Sequence, residues 1–168
     1  MWLSEFEIVL RDHVIPNGAI RIENGRIAEI RDKPVEHADI GGGGRLLLPG
    51  FIDMHGDMVE KEVEPRLGVH VPMKIGIAEL DKKLASCGVT TAYAALSFIG
   101  ASITSGVQRS EDHTSAIIDT IAGMKDHLLV DHRIHARFEV TFTPAVPMLQ
   151  KLMDAGRLHL ISLMDHTP

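Results

Sequence analysis

The chain has 168 residues, 45% of them hydrophobic and 24% charged, a balance that suits a globular fold and excludes disordered and fibrous classes. Its formal net charge of −6, without a basic run long enough to track a phosphate backbone, argues against a nucleic-acid partner. No apolar run approaches the roughly 20 residues of a membrane helix; no basic segment leads into an apolar one at the N-terminus; and the single Cys87 excludes an internal disulfide, so a cytoplasmic location without membrane contact is expected. With aromatics at only 4%, the core must be built from Leu, Ile, Val, Ala and Met.

Residues 1–48 read as a small antiparallel, sandwich-like β unit. Short β-type runs cover residues 6–10, 18–22 and 26–30, and Asn17-Gly18 and Asn24-Gly25 fall between them as hairpin turns. Gly41, Gly42, Gly43 and Gly44 follow. A phosphate-binding loop would have to open a helix, whose free N–H groups hold the anion. Here the glycines lead instead into the strand-like Arg45-Leu46-Leu47-Leu48-Pro49, so a flexible turn is expected.

Residues 49–168 alternate strand and helix patterns. Strands are expected near 51–55, 89–96, 134–142 and 158–165, with helices near 76–87, 110–128 and 144–155. Pro144 and Pro147 suit a helix start and Gly156 a helix stop. This β-α-β-α-β-α-β order predicts a parallel sheet with helices packed outside it. Cys87 is expected as a small core residue.

The chemistry gathers at Met54-His55-Gly56-Asp57. Side chains alternate along a strand, so His55 and Asp57 face the same way at its C-terminal end. An imidazole beside a carboxylate is a sound ligand pair for zinc, iron or manganese. Alone, such a triplet is more often part of a surface loop; the preceding Leu48-Pro49-Gly50-Phe51-Ile52-Asp53 shifts that balance.

A β unit, a glycine-rich turn and then Leu-Pro-Gly-Phe-Ile-Asp-Met-His resembles the lead into the barrel of the amidohydrolase superfamily. Those enzymes usually carry His-x-His at this point. His55-Gly56-Asp57 departs from that pattern and resembles one branch, the α-D-ribose 1-methylphosphonate 5-triphosphate diphosphatases of the carbon–phosphorus lyase pathway. The likeness continues through Glu64-Pro65-Arg66-Leu67-Gly68-Val69-His70-Val71-Pro72, Ala85-Ser86-Cys87-Gly88-Val89-Thr90-Thr91, His132-Arg133-Ile134-His135-Ala136-Arg137-Phe138-Glu139 and Leu160-Ile161-Ser162-Leu163-Met164-Asp165-His166-Thr167-Pro168.

That resemblance implies an α/β fold, the N-terminal part of a (β/α)8 TIM-like barrel preceded by the small antiparallel β unit. It implies one or two divalent cations, zinc first and iron or manganese next. His55, Asp57, Glu139 and His166 would be the ligands, with Glu139 bridging two ions, and Arg66 would contact a substrate phosphate. Read from residues alone, Glu139 is equally an exposed strand-end carboxylate, His166 a frayed terminal residue and Arg66 a solvated loop arginine. His70 and His135 are marginal candidates, and His13, His37, His113, His127, His132 and His159 read as surface or supporting residues.

The reaction implied is metal-assisted hydrolysis of a small phosphorylated substrate, cutting a triphosphate into a 5-phosphate and pyrophosphate. Two alternatives stay open: a non-catalytic fragment that binds metal or a partner, and an amide-hydrolysing deacetylase or cyclic amidase. A full barrel takes roughly 250 residues and eight strands; about 120 residues and four strands follow the β unit here. The general base is therefore expected beyond residue 168. Two open strand edges lead to the expectation of a homo-oligomer.

Overall fold

The computed structural model describes residues 1–98, 102–104, 107–109 and 111–165. The chain divides into two compact units, Met1–Pro49 and a second beginning at Gly50.

In the first unit, β1 (Trp2–Val9), β2 (Val14–Glu23) and β3 (Arg26–Arg31) form an antiparallel meander. Two short strands, β4 (Ile40–Gly41) and β5 (Leu46–Leu47), pair parallel with β1. The sheet is thus mixed and not purely antiparallel. A two-residue strand is too short to show a period, which is why the sequence did not reveal β4 and β5. Phe6, Ile8, Ile15 and Ile20 make the core of this sheet.

Asn24 (φ 51°) and Gly25 (φ 72°) make the tight turn between β2 and β3 that an Asn-Gly pair favours. Asn17-Gly18, expected as a second hairpin, lies inside β2; the β1–β2 connection falls at residues 10–13, where the Leu10 amide donates to the His13 carbonyl at 2.9 Å. Gly18 is needed for space. A Cβ there would sit 2.7 Å from the Arg31 carbonyl oxygen and 2.7 Å from Ile15 Cγ2, at a point where the β1–β2 register slips. The four-glycine run is not a phosphate loop. The Gly42 amide donates to Ser4 O at 2.7 Å and the Gly44 amide to Glu5 O at 2.8 Å, so these donors are taken up by β1.

The second unit holds β6 (Phe51–Gly56), α1 (Met58–Val63), α2 (Met73–Ser86), β7 (Val89–Phe98), a small antiparallel pair β8 (Ser102–Thr104) and β9 (Val107–Arg109), α3 (Glu111–Met124), β10 (Asp131–Glu139), α4 (Val146–Asp154) and β11 (Leu160–Met164). β6, β7, β10 and β11 form a four-stranded sheet in the spatial order β11-β10-β7-β6, and every pairing is parallel. Each strand-to-strand crossover contains a helix, which is the connection a parallel pairing requires. The short α1 and the β8–β9 pair had no clear sequence signal. α3 gives way at Met124 to a 3-10 turn, Lys125–His127, and β10 runs earlier than expected, ending at Glu139.

Alternation along the central strands separates two chemistries. Ala92, Ala94, Leu96, Phe98, Ile134 and Ala136 turn to the helices and are buried with Ile77, Leu80, Leu84, Ile117, Ile118, Leu149 and Leu152. The register then places Tyr93, Ala95 and Ser97 of β7 with Arg133, His135 and Arg137 of β10 on the opposite, polar face, joined by Glu139 and by Ser162 of β11. His132, read from sequence as a surface or supporting residue, points to the helix side and is buried against Asp81 of α2. Cys87 is not in the core: it caps the C-terminal end of α2 and is exposed. A glycine with positive φ, Gly88, turns the chain from α2 into β7.

Candidate metal centre

β6 delivers His55 to the C-terminal end of the sheet. Asp57 lies one residue past the strand, at the N-cap position of α1. An aspartate there usually accepts a helix N–H, but the Asp57 carboxylate caps none. It turns instead toward the polar face, with Oδ1 3.4 Å from His55 Nε2 and 3.1 Å from a guanidinium NH2 group, Nη1, of Arg137. The His55 amide donates to Asp53 Oδ1 at 3.0 Å, which shapes the strand end.

His135 closes the group from β10. Its ring meets His55 edge to face, centroids 5.1 Å apart and planes at 88°. The β7 residue paired with His135 is Ala95, whose methyl leaves room for the two rings to meet above that strand. His135 Nδ1 lies 3.1 Å from the Met54 carbonyl oxygen and Nε2 2.9 Å from Ser162 Oγ. A carbonyl only accepts, so Nδ1 carries the proton and Nε2 receives the serine hydroxyl. Both nitrogens are engaged, and His135 supports the site from behind rather than offering a lone pair. Burial pushes its imidazole below the usual histidine range; the Met54 carbonyl opposes that shift, while the nearby His55 and Arg137 reinforce it.

The other sequence candidates are placed differently. Glu139 is buried at the end of β10, on the same face as His135 and Arg137, and accepts from Thr141 Oγ1 at 3.2 Å. Arg66 sits in the exposed loop between α1 and α2. That loop is pinned by the buried Glu64, whose Oε1 accepts the Gly68 amide at 2.9 Å. His166 lies outside the described residues. Among the described residues no three of His, Cys, Asp and Glu converge on one point. The structure therefore brings His55 and Asp57 together, and it adds His135, a marginal candidate in the sequence, and Arg137, to which the sequence reading gave no role. Their signal was present: in His135-Ala136-Arg137-Phe138-Glu139 the polar residues recur at the strand period of two. As donors, the imidazole nitrogen and carboxylate oxygen of His55 and Asp57 fit a divalent cation of the zinc type.

No protein-family model matches the chain. Its sequence is 31% identical over 173 residues to the α-D-ribose 1-methylphosphonate 5-triphosphate diphosphatase of Escherichia coli (strain K12), taking in 100% of this chain and 44% of that protein. Its fold matches N-acetyl-D-glucosamine-6-phosphate deacetylase from Mycobacterium smegmatis with a TM-score of 0.59 at 17% identity, over 97% of this chain and 43% of that one. It also matches zinc-complexed atrazine chlorohydrolase from Arthrobacter aurescens TC1, with a TM-score of 0.55 at 14% identity, over 98% of this chain and 46% of that one. The chain resembles the N-terminal portion of an amidohydrolase-superfamily protein. It spans less than half the length of the relatives it matches.

In α/β barrels the C-terminal ends of the strands are where active sites are built. His55, Arg137 and Glu139 stand at that end of β6 and β10, and Asp57 follows β6 directly. Arg133 and Tyr93, 3.1 Å apart, lie on the same face toward the opposite end of the strands and play no part in the group.

Proposed function

We propose that this chain is the N-terminal part of a metal-dependent hydrolase that cuts the triphosphate of α-D-ribose 1-methylphosphonate 5-triphosphate into the 5-phosphate and pyrophosphate. The observation that carries this reading is the His55–Asp57 pair at the end of β6, within a chain that aligns over its whole length with the Escherichia coli diphosphatase. His-x-Asp in place of His-x-His favours that branch over amide-hydrolysing ones. The wider architecture would be the (β/α)8 barrel, of which β6, β7, β10 and β11 form four strands.

In this reading His55 and Asp57 hold one divalent cation, zinc first, iron or manganese next, and Glu139 and His166 are the candidates for further ligands. Lewis acidity toward a phosphoryl oxygen is the chemistry such a cation supplies when bound. The chain's own residues hold the site in shape. His135 packs edge to face against the His55 ring from behind, and Arg137 donates to the Asp57 carboxylate. Water adds across one phosphoanhydride bond, so the products together carry one water more than the substrate. The general base for that step is expected outside residues 1–168.

The deciding experiment follows pyrophosphate by phosphorus NMR when a polypeptide carrying this chain and the rest of the barrel is given the triphosphate and zinc, with an N-acetylated sugar phosphate in parallel. Pyrophosphate from the first substrate and no acetate from the second is the expected result. Acetate without pyrophosphate would replace this reading with the amide-hydrolysing one.

A further inference from the structure

Arg137 is a largely buried cation on the polar face of the second unit. Its side chain is 20% exposed, against 52% for Asp57, its acceptor. Withdrawing a guanidinium from water is unfavourable unless its donors are well matched. Here they are not. Among the described residues the only acceptor is Asp57 Oδ1, bonded to Nη1 at 3.1 Å, while Nε is buried with no hydrogen-bond partner. Nη1 lies on the far side of the guanidinium from Nε. The edge that remains is the Nε–Nη2 pair, two parallel N–H groups that match two oxygens of one phosphoryl or carboxylate group.

Place matters as much as geometry. Arg137 touches the same carboxylate oxygen that lies 3.4 Å from His55 Nε2. A fixed cation so close to a pair suited to a metal dication is unfavourable on its own. An oxyanion received on the unpartnered edge offsets that repulsion and gives the buried Nε an acceptor. Arg66, the phosphate contact suggested by resemblance, is by contrast in an exposed loop, where water satisfies its donors at no cost.

We propose that Arg137 is the substrate-binding residue of this site, receiving a phosphoryl oxyanion on its Nε–Nη2 edge beside the His55–Asp57 pair. This deepens the hydrolase reading and rests on it for the identity of the substrate, but the anion site itself can be tested without catalysis or metal.

The test uses the 168-residue chain stripped of metal with a chelator, inorganic pyrophosphate as the probe in titration calorimetry, and the variants Arg137→Gln, Arg137→Lys and Arg66→Gln, each checked for native circular dichroism. Zinc uptake is measured separately on the same proteins. Loss of a bidentate charge-assisted contact is expected to weaken pyrophosphate binding about tenfold or more in Arg137→Gln, with Arg137→Lys between that variant and wild type. Arg66→Gln should bind like wild type. Three outcomes overturn the proposal: wild type that binds no pyrophosphate; equal loss in Arg66→Gln and Arg137→Gln; or an Arg137→Gln protein that loses zinc yet keeps pyrophosphate, which would make Arg137 a positioning group for Asp57. Failure of wild type to take up zinc, with the Arg137 effect intact, would count against the metal-hydrolase reading and leave the anion site standing.

Discussion

Asp81 of α2 and His132 of β10 meet at 3.0 Å with side chains only 4% and 3% exposed. The same carboxylate accepts the Leu129 and Val130 amides, each at 2.9 Å. One aspartate thus ties the helix before β7 to the turn that starts β10, and so sets the depth at which β10 carries His135, Arg137 and Glu139. Asp81→Ala would leave two backbone N–H groups and an imidazole without their acceptor. A loss of about 3–5 kcal/mol is expected in urea unfolding. A loss below about 1 kcal/mol would show that the turn holds without this clip.

Gly18 makes the parallel case in the first unit. Gly18→Ala adds a methyl into space already filled by the Arg31 carbonyl, Ile15 and Ile8. Overpacking of this kind costs about 1–3 kcal/mol. Denaturant unfolding of the variant should show that cost, and an unchanged midpoint would mean that β2 relaxes around the methyl.

Stability should fall with acid through His159. Its Nδ1 accepts the Ile134 amide at 3.1 Å, and burial, helped by the Arg133 charge, holds its imidazole below the usual histidine range. A lowered folded value means that the unfolded chain binds the proton more readily, so stability is retained above the unfolded pKa of about 6.5 and lost as pH drops through the folded one. The urea midpoint should decrease from about pH 7.5 to about pH 5. In His159→Asn, whose amide oxygen can stand where Nδ1 stands, the decrease should be smaller. The same slope in both proteins would assign the acid sensitivity to other groups.

Metal content tests the His55–Asp57 pair directly. Elemental analysis of the purified 168-residue protein should give near one zinc, iron or manganese per chain, and His55→Ala should lose it, because removing one ligand of a small set removes most of the affinity. Pyrophosphate release by the same preparation should be slight, since the general base is expected elsewhere. Robust release would overturn that expectation. A metal-free wild type would mean that His55 and Asp57 do not assemble a metal site in this chain.

We propose that the 168-residue chain self-associates through the sheet edge at β11. Ile161 and Leu163 are 42% and 70% exposed on the helix-facing side of that strand, and its far edge pairs with no strand among the described residues. Light scattering should give a mass above the 18.4 kDa of one chain, and Leu163→Lys should lower it. A well-folded wild-type monomer at micromolar concentration would sink this proposal.

Local signals in the sequence were sufficient for much of this architecture. Apolar runs bounded by Gly and Pro marked β6, β7, β10 and β11, and the β-α order implied parallel pairing, because a parallel crossover needs a helix. His55 and Asp57 were legible as a pair at a strand end, although Asp57 lies past β6 at the start of α1, and Asn24-Gly25 marked a true hairpin. What failed were signals whose meaning depends on a distant neighbour. Asn17-Gly18 has the composition of a turn, yet Gly18 is glycine because Arg31 and Ile8 crowd it from other strands. Cys87 has the character of a core residue, yet α2 ends there at the surface. Arg137 and His135 lie about eighty residues from Asp57 and His55, and no local pattern says that β6 and β10 flank one strand whose Ala95 lets their side chains touch. The residue types and the strand period were written in the sequence by itself. Which of those residues share a site was decided only by the sheet order β11-β10-β7-β6, because side chains meet through strand registry and not through separation along the chain.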